Sequence, residues 1–543
     1  VAYVRTELAC TRIDEMPRRR APAACTASLG AFISSSVADP LALRIISRDI
    51  SRRPCVGRRG EWAMALPVAL IPEVLEHLRW RSGDLAACCR VSRVWDHFAR
   101  PALYERLWLR DQTRIVRVFR TLASFPHLVR FVKIIGKRFR NAYAELRVYP
   151  FGLPAEQLEA LEEQILCTLH HATHLEALYW TRTGSLNDRL LASMFEKTQC
   201  LRRFEFTGNS RSWSPSLLVE KLPRSVQALT ILLPDRAVAQ QLVPLATHLE
   251  GRLSDLSILC MDTAVITDAL LQGVAEHAPR LRRISLVGCK GVRGDGVRAL
   301  VSPNVRDLAL EGVALAPGIF ASLVPCLARL SRLTVTYPRR QEQAPAFFSE
   351  LGAVIESCEA LDYLAVYARG GSAPVIDGED DSEEESDALN AVDSSVHGSP
   401  SLGTPFVRRL AGSRAAHALR TLRIHGIGMS LHQLRILASS PLAARLEDLV
   451  VHLYEADVAS LRAPLAAFVR IRSLHILSHL RSAADFTEDN MVELARAAGP
   501  YLQQIGFRNR VWLVEYGALA QRTLRRWDMA AGVFPESMLV VRA

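Results

Sequence analysis

One short motif recurs twelve times along the 543 residues, and it limits what this chain can fold into more than any other feature. The motif is an apolar residue, two variable residues, an apolar residue, one variable residue and a third apolar residue. It begins at Leu175, Leu201, Val226, Leu253, Leu281, Val305, Leu330 and Leu361, and again at Leu419, Leu446, Ile471 and Leu502. Successive starts lie 26, 25, 27, 28, 24, 25, 31, 58, 27, 25 and 31 residues apart. The alternating half of the motif suits a short strand with one buried face, and the residues between motifs leave room for a covering helix. One such unit cannot bury its own apolar face, whereas a stack of them makes a continuous core.

This period matches that of leucine-rich repeats. The expected fold class is therefore α/β, a leucine-rich-repeat solenoid of about twelve β-α repeats in a horseshoe, occupying residues 173–510. The 58-residue step marks an insertion at 370–415. It is acidic, then rich in Ser, Gly and Pro, and is expected to be disordered. Ser382 precedes three glutamates, and Ser399 and Thr404 precede prolines. Regulatory phosphorylation and a passive solvated loop both remain open for this insertion. Residues 111–172 read as an adapter with a short helix, then one strand burying Val129, Val132 and Ile134. An amphipathic helix follows over 155–170, carrying Leu158, Leu161, Ile165 and Leu169 on one face. Residues 511–543 read as a cap on the last repeat, with a helical segment carrying Leu519, Leu524 and Trp527.

Three short apolar-periodic segments precede all of this, between Leu66 and Trp95. Pro67 stands where a helix can begin, and Leu70, Ile71, Val74, Leu75 and Leu78 follow at three- and four-residue steps. Asp84 is placed to cap a second run ending at Cys89. A third runs from Val91 to Ala99 and is expected to stop before Pro101. The stretch resembles the F-box: Leu66-Pro67, the leucine-rich run Leu70 to Leu78, Asp84-Leu85, and Val91 to Trp95 match its pattern over about 45 residues. Ala69, in place of the usual acidic residue, and the second proline Pro72 are departures. Pro72 falls in the first turn, where a missing N–H is tolerated. The resemblance implies docking on the Skp-family linker subunit, and through it a cullin, within an SCF ubiquitin ligase. It nominates Leu66, Pro67, Ile71, Leu75, Leu78, Leu85, Val91 and Trp95, some as contacts and others as core. The F-box is expected over 64–110. Residues 1–63 read as a disordered leader or as an over-extended gene model, with Met64 as the working start. An organelle transit peptide is the competing reading, opposed by six acidic residues. The repeat at Leu281 resembles the cysteine-containing subtype common in F-box proteins, which puts Cys289 at a strand end as a small cap on backbone groups.

The formal charge of +11 is unevenly spread, because the tract 377–387 holds eight acidic residues and leaves the remainder at +19. The arginines are scattered singly rather than grouped among aromatics, so solvated faces explain them better than nucleic acid. The eleven cysteines form no CxxC pair. Those in apolar runs (Cys167, Cys260, Cys326, Cys358) suit reduced, buried thiols in cytoplasm or nucleus. No apolar stretch reaches membrane-spanning length. His170 and His174 have the spacing of a helical zinc pair, but neither a third ligand nor an adjacent glutamate accompanies them. The GVRGDG segment lacks dinucleotide-binding spacing, and no phosphate loop or nucleophile elbow is present. No enzyme activity, cofactor or metal is expected.

In such an array the variable residues beside the buried strand positions face the concave surface. They are small in the middle (Ser257, Ser285, Ala309, Thr334) and larger towards the end. Tyr363, Tyr367, Arg423, His425, His452, His475 and Arg508 are therefore the expected substrate-binding residues, Tyr and Arg being the commonest interface anchors. The expectation is a substrate-recognition subunit of an SCF-type ligase, holding an unknown protein substrate near the ubiquitin-conjugating enzyme. The alternative is a leucine-rich-repeat interaction scaffold acting outside a ubiquitin ligase.

Overall fold

The computed structural model describes residues 67–79, 81–108, 112–136, 154–181, 184–338, 341–368, 400–453, 457–478, 487–508, 510–517 and 521–527. Two compact units divide between Leu103 and Tyr104. The first contains three helices: α1 (Ile71–His77), α2 (Ser82–Cys88) and α3 (Arg93–Glu105), the last running on into the second unit. Ile71, Leu75, Leu85 and Ala99 form its core, with Leu78, Trp95, Phe98 and Leu103 packed against it. Pro72 lies in the first turn of α1, as its tolerance there requires.

Two helix boundaries differ from expectation. Arg81, not Asp84, occupies the N-cap of α2; Asp84 sits inside the first turn, paired with Arg81 at 2.9 Å, where a carboxylate favours the helix dipole. Helix α3 begins at Arg93, two residues past Val91, and continues through Pro101 instead of stopping before it. The proline removes one backbone hydrogen bond, and the apolar packing of Ala99, Ala102 and Leu103 carries the helix past it.

The second unit is built on one sheet of sixteen strands whose spatial order is their chain order. They are β1 (Arg106–Trp108), β2 (Ile134–Gly136), β3 (Ala177–Trp180), β4 (Arg203–Thr207), β5 (Ala228–Leu232) and β6 (Asp255–Leu259). Then come β7 (Arg283–Val287), β8 (Asp307–Glu311), β9 (Arg332–Thr336), β10 (Tyr363–Tyr367) and β11 (Thr421–Met429). The last are β12 (Asp448–Leu453), β13 (Ser473–Ser478), β14 (Gln504–Phe507), β15 (Arg510–Tyr516) and β16 (Arg522–Arg526). Strands β3 to β14 are the twelve motifs. The sheet is parallel up to β14 and antiparallel from β14 to β16. This is the α/β leucine-rich-repeat solenoid that the motif implies.

The motif's three apolar positions are buried in every repeat except at Trp180, which is half-buried. The first position closes the turn before each strand, and the other two point from the strand into the helix-covered layer. Equivalent residues pair from strand to strand: Leu178 with Phe204, then Leu229, Leu256, Ile284, Leu308 and Leu333. A second ladder runs in front of the strands. The Arg202 N–H donates to the Glu176 carbonyl at 2.8 Å, and Gln227, Ser254, Arg282, Arg306 and Ser331 each repeat that bond one unit on. Some turns are tied sideways as well. Asp268, first residue of a helix spanning Asp268–His277, accepts from the N–H groups of Arg293, Gly294 and Gly296 in the next repeat at 2.8, 3.2 and 2.7 Å. That bond set, not a phosphate, is what the GVRGDG segment serves.

The sheet starts earlier than the repeat pattern suggests. Strands β1 and β2 come from the stretches read as the end of the F-box and as the adapter, and both pair in parallel. Ile135, not Ile134, is buried on β2 beside Val129 and Val132. The helix Ala155–His171 buries Leu161, Ile165 and Leu169 as expected, with Leu158 half-buried.

The insertion is narrower than 370–415. Residues 400–415 are ordered, with a helix at Thr404–Gly412 that buries Phe406, Val407 and Leu410, and with Leu402 also buried. Those apolar residues supply the covering helix between β10 and β11. The tract 377–387, Ser382 and Ser399 lie outside the described residues, as do the leader 1–63, Leu519 and the final SMLVV. Among the described residues the C-terminal cap is a strand pair, not a helix. Leu524 sits on β16, which pairs with β15, because the open sheet edge offers unpaired backbone groups that a hairpin satisfies.

Stacking of this kind makes any central strand residue count on both sides. Leu308→Ala on β8 should cost about 2–5 kcal/mol of unfolding free energy, read as a lowered urea midpoint. A loss below ~1 kcal/mol would mean that the neighbouring repeats do not depend on this layer.

Candidate functional site

On the helical unit, the residues nominated by the F-box pattern divide by burial. Ile71, Leu75 and Leu85 are at most 3% exposed and hold the three helices together. Leu78 and Trp95 are half-buried against that core, while Pro67 and Val91 are exposed. Leu66 lies outside the described residues. Three further apolar residues are exposed: Val68 at 53%, Leu70 at 43% and Val94 at 46%, beside Val91 at 45%. Val68 and Leu70 belong to the turn that leads into α1; Val91 lies in the turn before α3, and Val94 is the second residue of that helix. Val94, one residue into α3, lies within the Val91 to Trp95 stretch of the motif.

The expected substrate residues of the last repeats lie on the sheet face opposite the helices, but most are occupied there. Arg423 is bound to Asp448 through Nε at 3.0 Å and Nη2 at 2.5 Å, with side chains 13% and 16% exposed. Burial opposes charge on Arg423, and Asp448 more than offsets it, so the guanidinium stays firmly protonated. The Arg332 guanidinium stacks 4.1 Å from the centre of the Tyr363 ring, and Arg423 lies 5.5 Å from the same ring. Tyr367 is buried against His425, ring centres 6.1 Å apart, and burial with Tyr363 nearby pushes its hydroxyl pKa up. His452 is buried. His475 is buried too, and its Nε2–H donates to the Arg508 carbonyl at 2.7 Å. Gly506 beneath it leaves room for the ring, since a Cβ there would stand 2.8 Å from Nδ1. Arg508 itself turns the chain between β14 and β15 with φ +51°, and it is half-buried. Six of these residues therefore share one face, Arg508 lying in the turn past β14, and on that face Tyr363, Tyr367, Arg423 and His475 are engaged within the protein.

The middle of the same face is different. Ser257, Ser285, Ala309 and Thr334 leave it shallow, and a recess of about 110 Å³ opens over β3 to β7. Glu205 lines it, on the face opposite buried Phe204 and Phe206. Burial pushes its carboxyl up to about 7. The sequence offered one signal, an acid between two core phenylalanines in CLRRFEF.

Other sequence features are structural. The helix carrying His170 and His171 ends at His171, so His174 is not on it. Among the described residues no group of three His, Cys, Asp or Glu is placed to hold a metal ion. Cys289 is fully buried with its Sγ 3.8 Å from the Ile258 carbonyl and 3.7 Å from that of Val287, and burial pushes its thiol up to about 12. Cys260 and Cys358 are buried, Cys326 is half-buried, and Cys167 is exposed, contrary to expectation, because it faces away from the Leu161–Ile165–Leu169 stripe. No described helix is long and apolar enough to cross a membrane.

No protein-family model matches the chain, and no curated protein matches it. Its similarities are to solved structures. The Rad7 and Elc1 complex in yeast matches at 12% identity, covering 83% of this chain and 98% of that one, with a TM-score of 0.36. The leucine-rich repeat-containing protein LegL7 from Legionella pneumophila matches at 11% identity over 64% of this chain and 94% of its own, TM-score 0.31. The TLR13–ssRNA13 complex matches at 10% identity over 63% and 54%, TM-score 0.32. Likeness at this level carries no argument about partners, and the repeat fold rests on the registered sheet itself.

Two measurements check the occupied end of the sheet. Asp448→Asn strands a largely buried guanidinium and should destabilise the fold by roughly 3 kcal/mol; an unchanged urea midpoint would return Arg423 to the pool of free contact residues. Burial holds the His475 imidazole below its ordinary range, the carbonyl of Arg508 partly offsetting this. The unfolded chain takes up that proton near pH ~6.5 while the native state refuses it, so stability falls as pH drops below about 6.5 towards the lower native value. His475→Gln should flatten this slice of the pH–stability profile, and an equally steep profile in the variant would assign the slope to other groups.

Proposed function

We propose that this chain is the substrate receptor of an SCF-type ubiquitin ligase, its helical unit docking on a Skp-family linker and its repeats holding a protein substrate. The observation that carries this reading is the division of labour within the helical unit. Ile71, Leu75 and Leu85 face inward, whereas Val68, Leu70, Val91 and Val94 stay exposed. Exposed apolar residues in a unit this small suit a standing partner better than solvent. The residues of the F-box pattern coincide with that unit. On this reading the chain is no catalyst: it raises the local concentration of a substrate lysine near the conjugating enzyme. It would work in cytoplasm or nucleus, with no cofactor.

The scaffold alternative keeps the repeats and drops the linker. Co-expression of the full chain with a Skp-family subunit separates the two. Co-purification is expected, and Leu70→Glu or Val91→Glu should weaken it about tenfold or more, because each removes a buried apolar anchor worth roughly 1.5–3 kcal/mol. Since both residues are exposed in the chain alone, the variants should unfold at the parent temperature. Failure of the parent chain to co-purify would leave a repeat scaffold.

A further inference from the structure

The recess on the open sheet face has features that structural packing does not explain. Glu205 lies in register with Tyr179 on β3 and Thr230 on β5, and the recess extends over Ser257 on β6. Two other acids on this face are held by arginines: Asp307 by Arg283 at 3.1 Å, and Asp448 by Arg423. Glu205 has no ion pair and no hydrogen bond among the described residues. Burial alone pushes its carboxyl up to about 7, so half of it is charged at neutral pH, in a setting that opposes the charge. A glutamine would fit the same space without that cost. Stability given up at one polar position, with space beside it, points to a role in binding.

The charges around the recess say what it takes. Asp255 on β6 adds a second carboxylate. Arg283 at the far rim is turned to Asp307, which leaves Arg203, exposed at the start of β4, as the cation lining it. Tyr179 sets an aromatic ring beside Glu205, the kind of wall on which a guanidinium stacks. The volume, about 110 Å³, suits one planar side-chain head group and is too small for a drug-sized ligand.

We propose that this recess is the specificity subsite of the repeat array and takes an arginine side chain of the bound protein, its guanidinium paired with Glu205 beside Tyr179. This rests on the reading of the array as a protein-binding surface, and it moves the recognition site from the last repeats to β3–β7. A proton on Glu205 competes with the guanidinium, so binding weakens as pH falls below about 7. Arg203 opposes a second cation and keeps the subsite to one.

The test uses the full chain and saturation-transfer NMR with three probes: the N-acetyl amides of arginine, lysine and citrulline, the last a neutral isostere of arginine. At pH 7.5 the arginine probe should show the strongest transfer and citrulline at least about tenfold less, the loss expected when a charge-assisted bond is removed. Glu205→Gln should abolish the difference between the two, and acidification of the parent protein to pH 5.5 should reduce the arginine signal. The variant should unfold at the parent temperature or above it. Equal transfer from citrulline, no arginine transfer in the parent, or an undiminished signal in Glu205→Gln would each overturn the proposal. A lowered unfolding temperature in that variant would make Glu205 a structural residue and overturn it as well. Co-purification with the linker reports on the helical unit alone, so either idea can fail without the other.

Discussion

Everything in the larger unit depends on one registered burial. Leu, Ile, Val or Phe at the inward strand positions meets its equivalent on the next strand, from Leu178 to Ile505, except for Trp180 on β3 and for the register shift between β11 and β12 after Arg423. Because the side-chain period of a strand is two, a slip of one residue would turn the whole apolar set outward. The carbonyl ladder in front of the strands holds the same register through the backbone. Each repeat touches its neighbours only, so the stack tolerates changes between strands while it tolerates little within them. The long step before β11 illustrates this: Tyr363 still pairs with Thr421, Leu364 with Leu422 and Ala365 with Arg423.

That same geometry leaves the opposite face of the sheet free to vary, and the two halves of it use the freedom differently. Towards the C-terminus the face is filled by its own pairs: Arg332 on Tyr363, Arg423 with Asp448, His475 over Gly506. Large, amphipathic side chains there satisfy one another, and what they contribute is rigidity at the end of the array. In the middle, serine, alanine and threonine withdraw, and Glu205 remains under-solvated without an ion pair among the described residues. A surface prepared for a partner is better sought where polar groups are left waiting than where they are already matched.

The helical unit presents the same contrast on a smaller scale. A dozen or so apolar residues cannot all be hidden among three short helices. Which ones turn inward follows from helix packing, and Val68, Leu70, Val91 and Val94 are what remains outside.

The sequence by itself determined the repeat period, the identity of the buried strand positions and the parallel α/β stack, because the motif's spacing admits only one face of each strand to the core. It also located the three short helices and the stretch that resembles an F-box. It did not reveal β1 and β2, since three-residue strands carry no pattern of their own and form only because an adjacent edge pairs with them. It misread the helix at Thr404–Gly412 as disorder, and β16 as helix, for a related reason: each is ordered by the surface it covers or extends. It could list Tyr363, Tyr367, Arg423 and His475 as residues on the open face, but not that they are engaged within the protein. It passed over Glu205, an unremarkable acid between two phenylalanines. Exposure, pairing and the solvation of a carboxyl are properties of neighbours twenty-five or more residues away, and only the tertiary structure brings those neighbours together.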